Sequence, residues 1–132
     1  MRADQRQEEV EEYRLSASEL YNQLYNRAEA LERLGGDEEL FADVVSMFVA
    51  ESESYCSALE AALLSADAAV LRREAHTVKS MLATFSYEAG RELAMRLEHL
   101  AATGNLDGAD SLTSEVVAAV RRLVEEFARE AA

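Results

Sequence analysis

The stretch Asp67-Ala-Ala-Val-Leu-Arg-Arg-Glu-Ala-His-Thr-Val-Lys-Ser-Met-Leu-Ala-Thr-Phe85 decides how the whole chain is read. A helix turning by about 100° per residue places Leu71, Ala75, Val78, Leu82 and Phe85 along one side, the alternating four-and-three spacing of a seam that faces a core. The opposite side carries His76. Its neighbours one turn away are Arg72 and Arg73 before it and Lys79, Ser80 and Ala83 after it. This face is basic, yet the chain has a formal charge of −13, and Lys79 is the single lysine among its 13 basic residues. A lone histidine on a polar face is commonly no more than a solvated residue. An imidazole set among cations points instead to a place where an anion is handled.

Composition limits the class. A chain of 132 residues, 49% of them hydrophobic, suits one domain with a core of its own. With no proline and only 5 glycines it permits long helices and gives little support to a sheet, so the expected class is all-α. Its 26 acidic residues against 13 basic ones argue against nucleic acid as a partner. The polar start is no signal peptide, and no apolar run is long enough to span a membrane, so a cytoplasmic protein without membrane contact is expected. Cys56, the lone cysteine, borders an apolar helix face and reads as a small buried hydrophobe.

The helices follow from seams and caps. Residues 1–16 read as a polar tail or linker with an acidic run at Glu8, Glu9, Glu11 and Glu12, and residues 17–132 as a helical bundle domain. Ser16 and Glu19 have the form of a capping box opening a short helix with Leu20, Leu24, Ala28 and Leu31 on one side, stopped by Gly35-Gly36. Asp37 then caps a helix of about 28 residues, roughly 42 Å long, through Phe41, Val44, Val45, Phe48, Tyr55, Leu59 and Leu63. Asp67 caps the histidine helix. Ser86 is expected to cap the next, with Leu93, Leu97 and Leu100 inward and Gly104 at its end. Asp107 or Asp110 starts the last, which carries Leu112, Val116, Val120, Leu123 and Phe127. Four long amphipathic helices with short connections predict an antiparallel up-down four-helix bundle, with the shorter N-terminal helix covering part of it.

Several chemistries are excluded by absence. Neither a GxGxxG nor a GxxxxGK[ST] loop exists to cradle a nucleotide. The residues three before His76 and His99 are arginines, so the Glu-x-x-His pairs of a di-metal bundle are missing, and no metal site is expected. His99 lies off its helix's seam and reads as a surface residue. What remains is an exposed nucleophile that depends on another protein for its catalytic machinery.

Ala75-His76-Thr77-Val78-Lys79-Ser80, followed by Phe85, Leu93 and Leu97-Glu98, resembles the motif of histidine-containing phosphotransfer (HPt) domains. That motif runs Ala-His-x-hydrophobic-Lys-Gly/Ser, then a hydrophobic-Gly pair, then Leu and Leu-Glu one helix later. Leu34-Gly35-Gly36-Asp37-Glu38-Glu39-Leu40, leading to Phe48, is similar to the start of that family's second helix, and the resemblance covers residues 28–127. Two positions depart from it: Ser86 stands where the family usually has glycine, and Tyr87 where a small residue is common. Both bear on how two helices approach, not on the chemistry.

The resemblance implies a phosphocarrier, not an enzyme. His76 would accept a phosphoryl group from an aspartate of a response-regulator receiver domain or a hybrid histidine kinase and pass it on. Lys79 and Arg72 would offset its charge, while Arg73, Ser80 and Ala83 complete the partner-facing surface. No cofactor of its own is implied, Mg²⁺ being expected on the receiver. Two alternatives stay open: a phosphodonor domain of a chemotaxis-type kinase, and a non-catalytic adaptor or dimerisation bundle.

Overall fold

The computed structural model describes residues 24–132, which form five helices: α1 (Arg27–Arg33), α2 (Glu38–Leu64), α3 (Ala68–Thr84), α4 (Glu88–Ala102) and α5 (Ala109–Ala131). Each long helix packs on its chain neighbour and α5 returns to α2, closing an antiparallel four-helix bundle as expected. The seam of α3 is as read, with Leu71, Ala75, Val78 and Leu82 all buried. Asp37 and Asp67 cap α2 and α3, their carboxylates accepting from the Leu40 and Val70 N–H groups at 3.0 and 3.1 Å.

The most extensive helix contact is between α3 and α4. Their buried stripes carry small residues, Ala75 on one and Gly90, Ala94 and Ala101 on the other, and small side chains let helix axes approach. Gly90 fits this contact closely: a Cβ there would lie 2.9 Å from both Leu82 Cδ1 and Tyr87 Cε2, so one of those side chains would have to shift. The Tyr87 ring, the bulky departure from the family pattern, is accommodated in the space this glycine leaves.

Phe85, which ends α3, sits at the centre of an aromatic cluster, edge-on to Phe41, Phe48 and Phe127 at centroid distances of 6.4, 5.2 and 5.0 Å. Cys56 is fully buried in the core, and burial pushes its thiol pKa up, which leaves it a packing residue.

Three expectations are corrected. Ser86 does not cap α4: Tyr87 occupies the cap position without a side-chain bond, and Ser86 takes a left-handed conformation, φ 54°. The reason lies in the end of α3. The Tyr87 N–H reaches back to the Leu82 carbonyl and the Ser86 N–H to the Ala83 carbonyl, a Schellman turn whose fifth residue, here Ser86, must be left-handed. Ser86 thus takes the conformation for which glycine is favoured, and its hydroxyl donates to Glu29 instead.

At the N-terminal side, Ser16, Glu19 and Leu20 lie outside the described residues, as does the stretch 1–16. The helix that is described starts only at Arg27, because the Asn26 side chain accepts the Glu29 N–H at 3.0 Å. That start turns the inward face to Tyr25 and Ala30 and leaves Ala28 exposed, where the expected seam had placed it inside. In α5 neither Asp107 nor Asp110 caps; Gly108, at φ 85°, precedes the first turn, and Asp110 lies within that turn, where its charge suits the helix dipole.

Ala66 ends α2 in the same way as Ser86 ends α3, at φ 52°, with its side chain exposed. Ala66→Gly relieves the left-handed cost, part of which the added freedom of the unfolded chain offsets, and raises stability by about 0.5–1 kcal/mol in denaturant titration. A loss of stability would place that turn in another conformation.

Candidate functional site

His76 lies on the outward side of α3, its side chain 61% exposed. The close approach of α3 and α4 brings a carboxylate to it. Glu98, itself only 14% exposed, lies with its oxygens 3.2 and 3.3 Å from His76 Nδ1. The same carboxylate takes the Lys79 ammonium at 2.8 Å.

The ionisation of this group follows from its surroundings. Burial works against the charge on Glu98, but hydrogen bonds from Lys79 and then His76 outweigh it and hold the carboxyl below the usual range. At neutral pH Glu98 is therefore an anion and can only accept. The imidazole nitrogen that faces it carries the proton, and the in-plane lone pair is left on Nε2, across the ring from Glu98.

The other residues singled out on this face are distributed as follows. Arg72 and Arg73 are exposed one turn before the histidine; Arg73 lies 3.6 Å from Glu74, whereas Arg72 has no ion-pair partner among the described residues. Ser80 is exposed and Ala83 half-buried on the turn beyond the imidazole. The Ala83 carbonyl accepts from Arg33 of α1, which therefore borders this surface. Lys79 differs from expectation in one respect: its ammonium is engaged with Glu98 and not free on a basic face. His99 is exposed and outside the cluster.

Glu98 is the residue that reading by faces missed. Its place in the Leu97-Glu98 pair was visible, but nothing in one helix says which residue of the next lies opposite.

The surface around His76 is open. A groove of about 490 Å³ lies elsewhere, between α2 and α5, lined by residues such as Glu60, Thr113, Val117 and Arg121. Among the described residues no group of three or more His, Cys, Asp or Glu side chains is placed to hold a metal ion. An exposed, oriented imidazole suits attack on a group presented by another protein.

The Hpt domain family model matches residues 43–130, which include α3, α4 and the His76–Glu98–Lys79 cluster. The chain belongs to the Hpt family. Hpt domains are phosphocarriers, and the chain is a histidine-containing phosphotransfer intermediate of the phosphorelay type. The family works with receiver domains and histidine kinases. The fold is also that of the crystal structure of histidine-containing phosphotransfer protein B (HptB) from Pseudomonas aeruginosa PAO1, with a TM-score of 0.71 and 24% identity, covering 83% of this chain and 97% of that one. No curated protein sequence matches the chain significantly. No helix among the described residues is long and apolar enough to cross a membrane.

Because the folded-state pKa of Glu98 is depressed, its ion pairs add stability above the ordinary glutamate range, and this is lost as pH falls through the lowered value. Glu98→Gln should therefore be less stable than the parent by about 1–2 kcal/mol at pH near 7, with the gap closing in acid. Denaturant titrations of both proteins across that range check it; an unchanged gap in acid would mean that Glu98 is not ionised through these contacts.

Proposed function

We propose that His76 is the residue on which this Hpt domain carries its phosphoryl group, exchanging it with aspartates of response-regulator receiver domains, including those of hybrid histidine kinases. One observation carries this reading: an exposed imidazole with Nδ1 tied to an ionised carboxylate, which leaves Nε2 as the nitrogen without that partner. The neutral ring attacks the phosphorus of an aspartyl phosphate through Nε2. An N–P bond forms, the P–O bond breaks, and the aspartate leaves with the electron pair as a carboxylate. The ring gains positive charge while keeping its Nδ1 proton, and Glu98 stabilises that charge. The reverse transfer retraces the same path.

Glu98 acts as a positioning residue, fixing the tautomer and the ring plane. Lys79 holds Glu98 in place and adds positive charge beside the ring. Arg73, Ser80 and Ala83 belong to the docking surface. Most catalysis in such a transfer is alignment and neutralisation of the moving phosphoryl group, which Mg²⁺ and a lysine of the receiver would supply. The bundle is then a rigid mount that needs no cofactor of its own.

His76→Gln should abolish labelling by a phosphorylated receiver and change stability by under about 0.5 kcal/mol, the usual effect of an exposed substitution. His99→Gln should label normally. Acceptance lost in the second variant and kept in the first would overturn the assignment.

Docking gives a separate check. Ser80 lies one turn beyond His76, and a partner that brings its aspartate to Nε2 must pass close over it. Ser80→Trp should fold normally and lose receiver transfer by about 100-fold or more, since misplacement by an ångström costs that much. Slow labelling of His76 by phosphoramidate should survive. Parental transfer rates in this variant would mean that the partner approaches from another side.

A further inference from the structure

We infer that the groove between α2 and α5 is a binding site for a linear aliphatic diamine, protonated at both ends. It lies across the bundle from His76, because α3 and α4, which His76 and Glu98 bridge, are the opposite pair in the ring of helices. None of its residues takes part in phosphotransfer. At about 490 Å³ the groove falls within the roughly 300–1,000 Å³ usual for small-molecule sites.

Thr113 in its wall is 2% exposed, and its hydroxyl is the buried side-chain oxygen that has no hydrogen-bond partner among the described residues. An unpaired buried hydroxyl is a standing cost, which a donor reaching it from the groove removes. A helical threonine has two accessible χ1 rotamers, so rotation about one bond turns the hydroxyl to that donor. Ser114, next in the same wall, adds an exposed hydroxyl.

Charge decides what the donor is. The cations in the lining are engaged: Glu53 holds the Arg121 guanidinium at 3.1 and 3.2 Å, and Arg122 lies against the Tyr87 phenol. Glu60 of α2 and Glu125 of α5 line the groove as well, and neither has an ion-pair partner among the described residues. An anion would meet two unpaired carboxylates, and a neutral apolar ligand would leave both of them unpaired. An ammonium has three N–H donors and no acceptor, which suits a carboxylate and a hydroxyl together.

The positions favour two ammonium groups on one chain. Glu53 pairs with Arg121 across antiparallel helices, so Glu60, two turns further along α2, stands level with Ser114, two turns back along α5. Glu125 lies about 17 Å from Ser114 along the axis of α5, at about 1.5 Å per residue. Val117 and Ala118 lie between them and Leu63 borders the Glu60 end, giving methylene groups an apolar floor.

The test is an NMR titration of the ¹⁵N-labelled full chain with diaminooctane at about 0.15 M salt, where loose surface attraction is screened. Butylamine and suberate, a dicarboxylate of similar length, run alongside. Diaminooctane should shift the amide signals of Glu60, Thr113, Ser114 and Val117, with butylamine weaker and suberate without effect. Glu60→Gln and Glu125→Gln should each weaken diamine binding about two- to fivefold, whereas Glu39→Gln, the same charge change on the outward side of α2, should not. Thr113→Val, which keeps the shape and removes the hydroxyl, should weaken binding about threefold or more while stability holds. Equal weakening by Glu39→Gln would show general attraction to an acidic chain and overturn the site. So would shifts caused by suberate, or none at these residues with diaminooctane.

Discussion

The close packing of α3 against α4 is the constraint on which the site depends. A carboxylate can orient an imidazole only within hydrogen-bond reach, and Glu98 and His76 are on different helices. The small residues on the buried stripes and the absence of a side chain at Gly90 set that distance. Core packing is dense and does not deform continuously, so a bulky residue there would move the carboxylate as well as lower stability. The chemistry of an exposed residue is in this way fixed by apolar contacts on the other face of its helix.

The end of α3 is held just as firmly. Phe85 lies in the aromatic cluster, and Ser86 links the turn to α1 through its hydroxyl bond to Glu29 and its carbonyl bond to the Asn26 N–H. Tyr25 extends the attachment, donating to both carboxylate oxygens of Glu130 at 2.7 and 2.8 Å while its ring packs on Phe127. Burial and that carboxylate raise the phenol's pKa, so it remains a donor at any pH where the bundle is used. Short as it is, α1 closes the end of the bundle nearest Ala83 and carries Arg33 to the Ala83 carbonyl, at the edge of the face that holds His76.

Charge is distributed unevenly over this frame. The outward positions of α2 hold Glu38, Glu39, Asp43, Glu51, Glu53 and Glu60 with no basic residue in that helix, whereas α3 concentrates Arg72, Arg73 and Lys79 around one imidazole. A net negative chain keeps itself soluble and apart from its copies, and a local cationic face can still attract an anionic group. Within that face Glu98 retains the Lys79 ammonium in an ion pair.

The sequence by itself determined the helices, their seams, the caps at Asp37 and Asp67 and the outward placement of His76, because these depend on periodicity and on groups a few residues apart. It also carried the family motif, including Leu97-Glu98. Where a local signal competed with a tertiary one, the local reading failed. Ser86 looked like a cap and became the left-handed end of α3, and Asn26 started α1 later than the expected seam required. The pairing of Glu98 with both His76 and Lys79 belongs to the tertiary structure alone. Helix periodicity gives the face of each residue, but the axial register and spacing between two helices come from how their side chains interlock, and one ångström there separates a hydrogen bond from none.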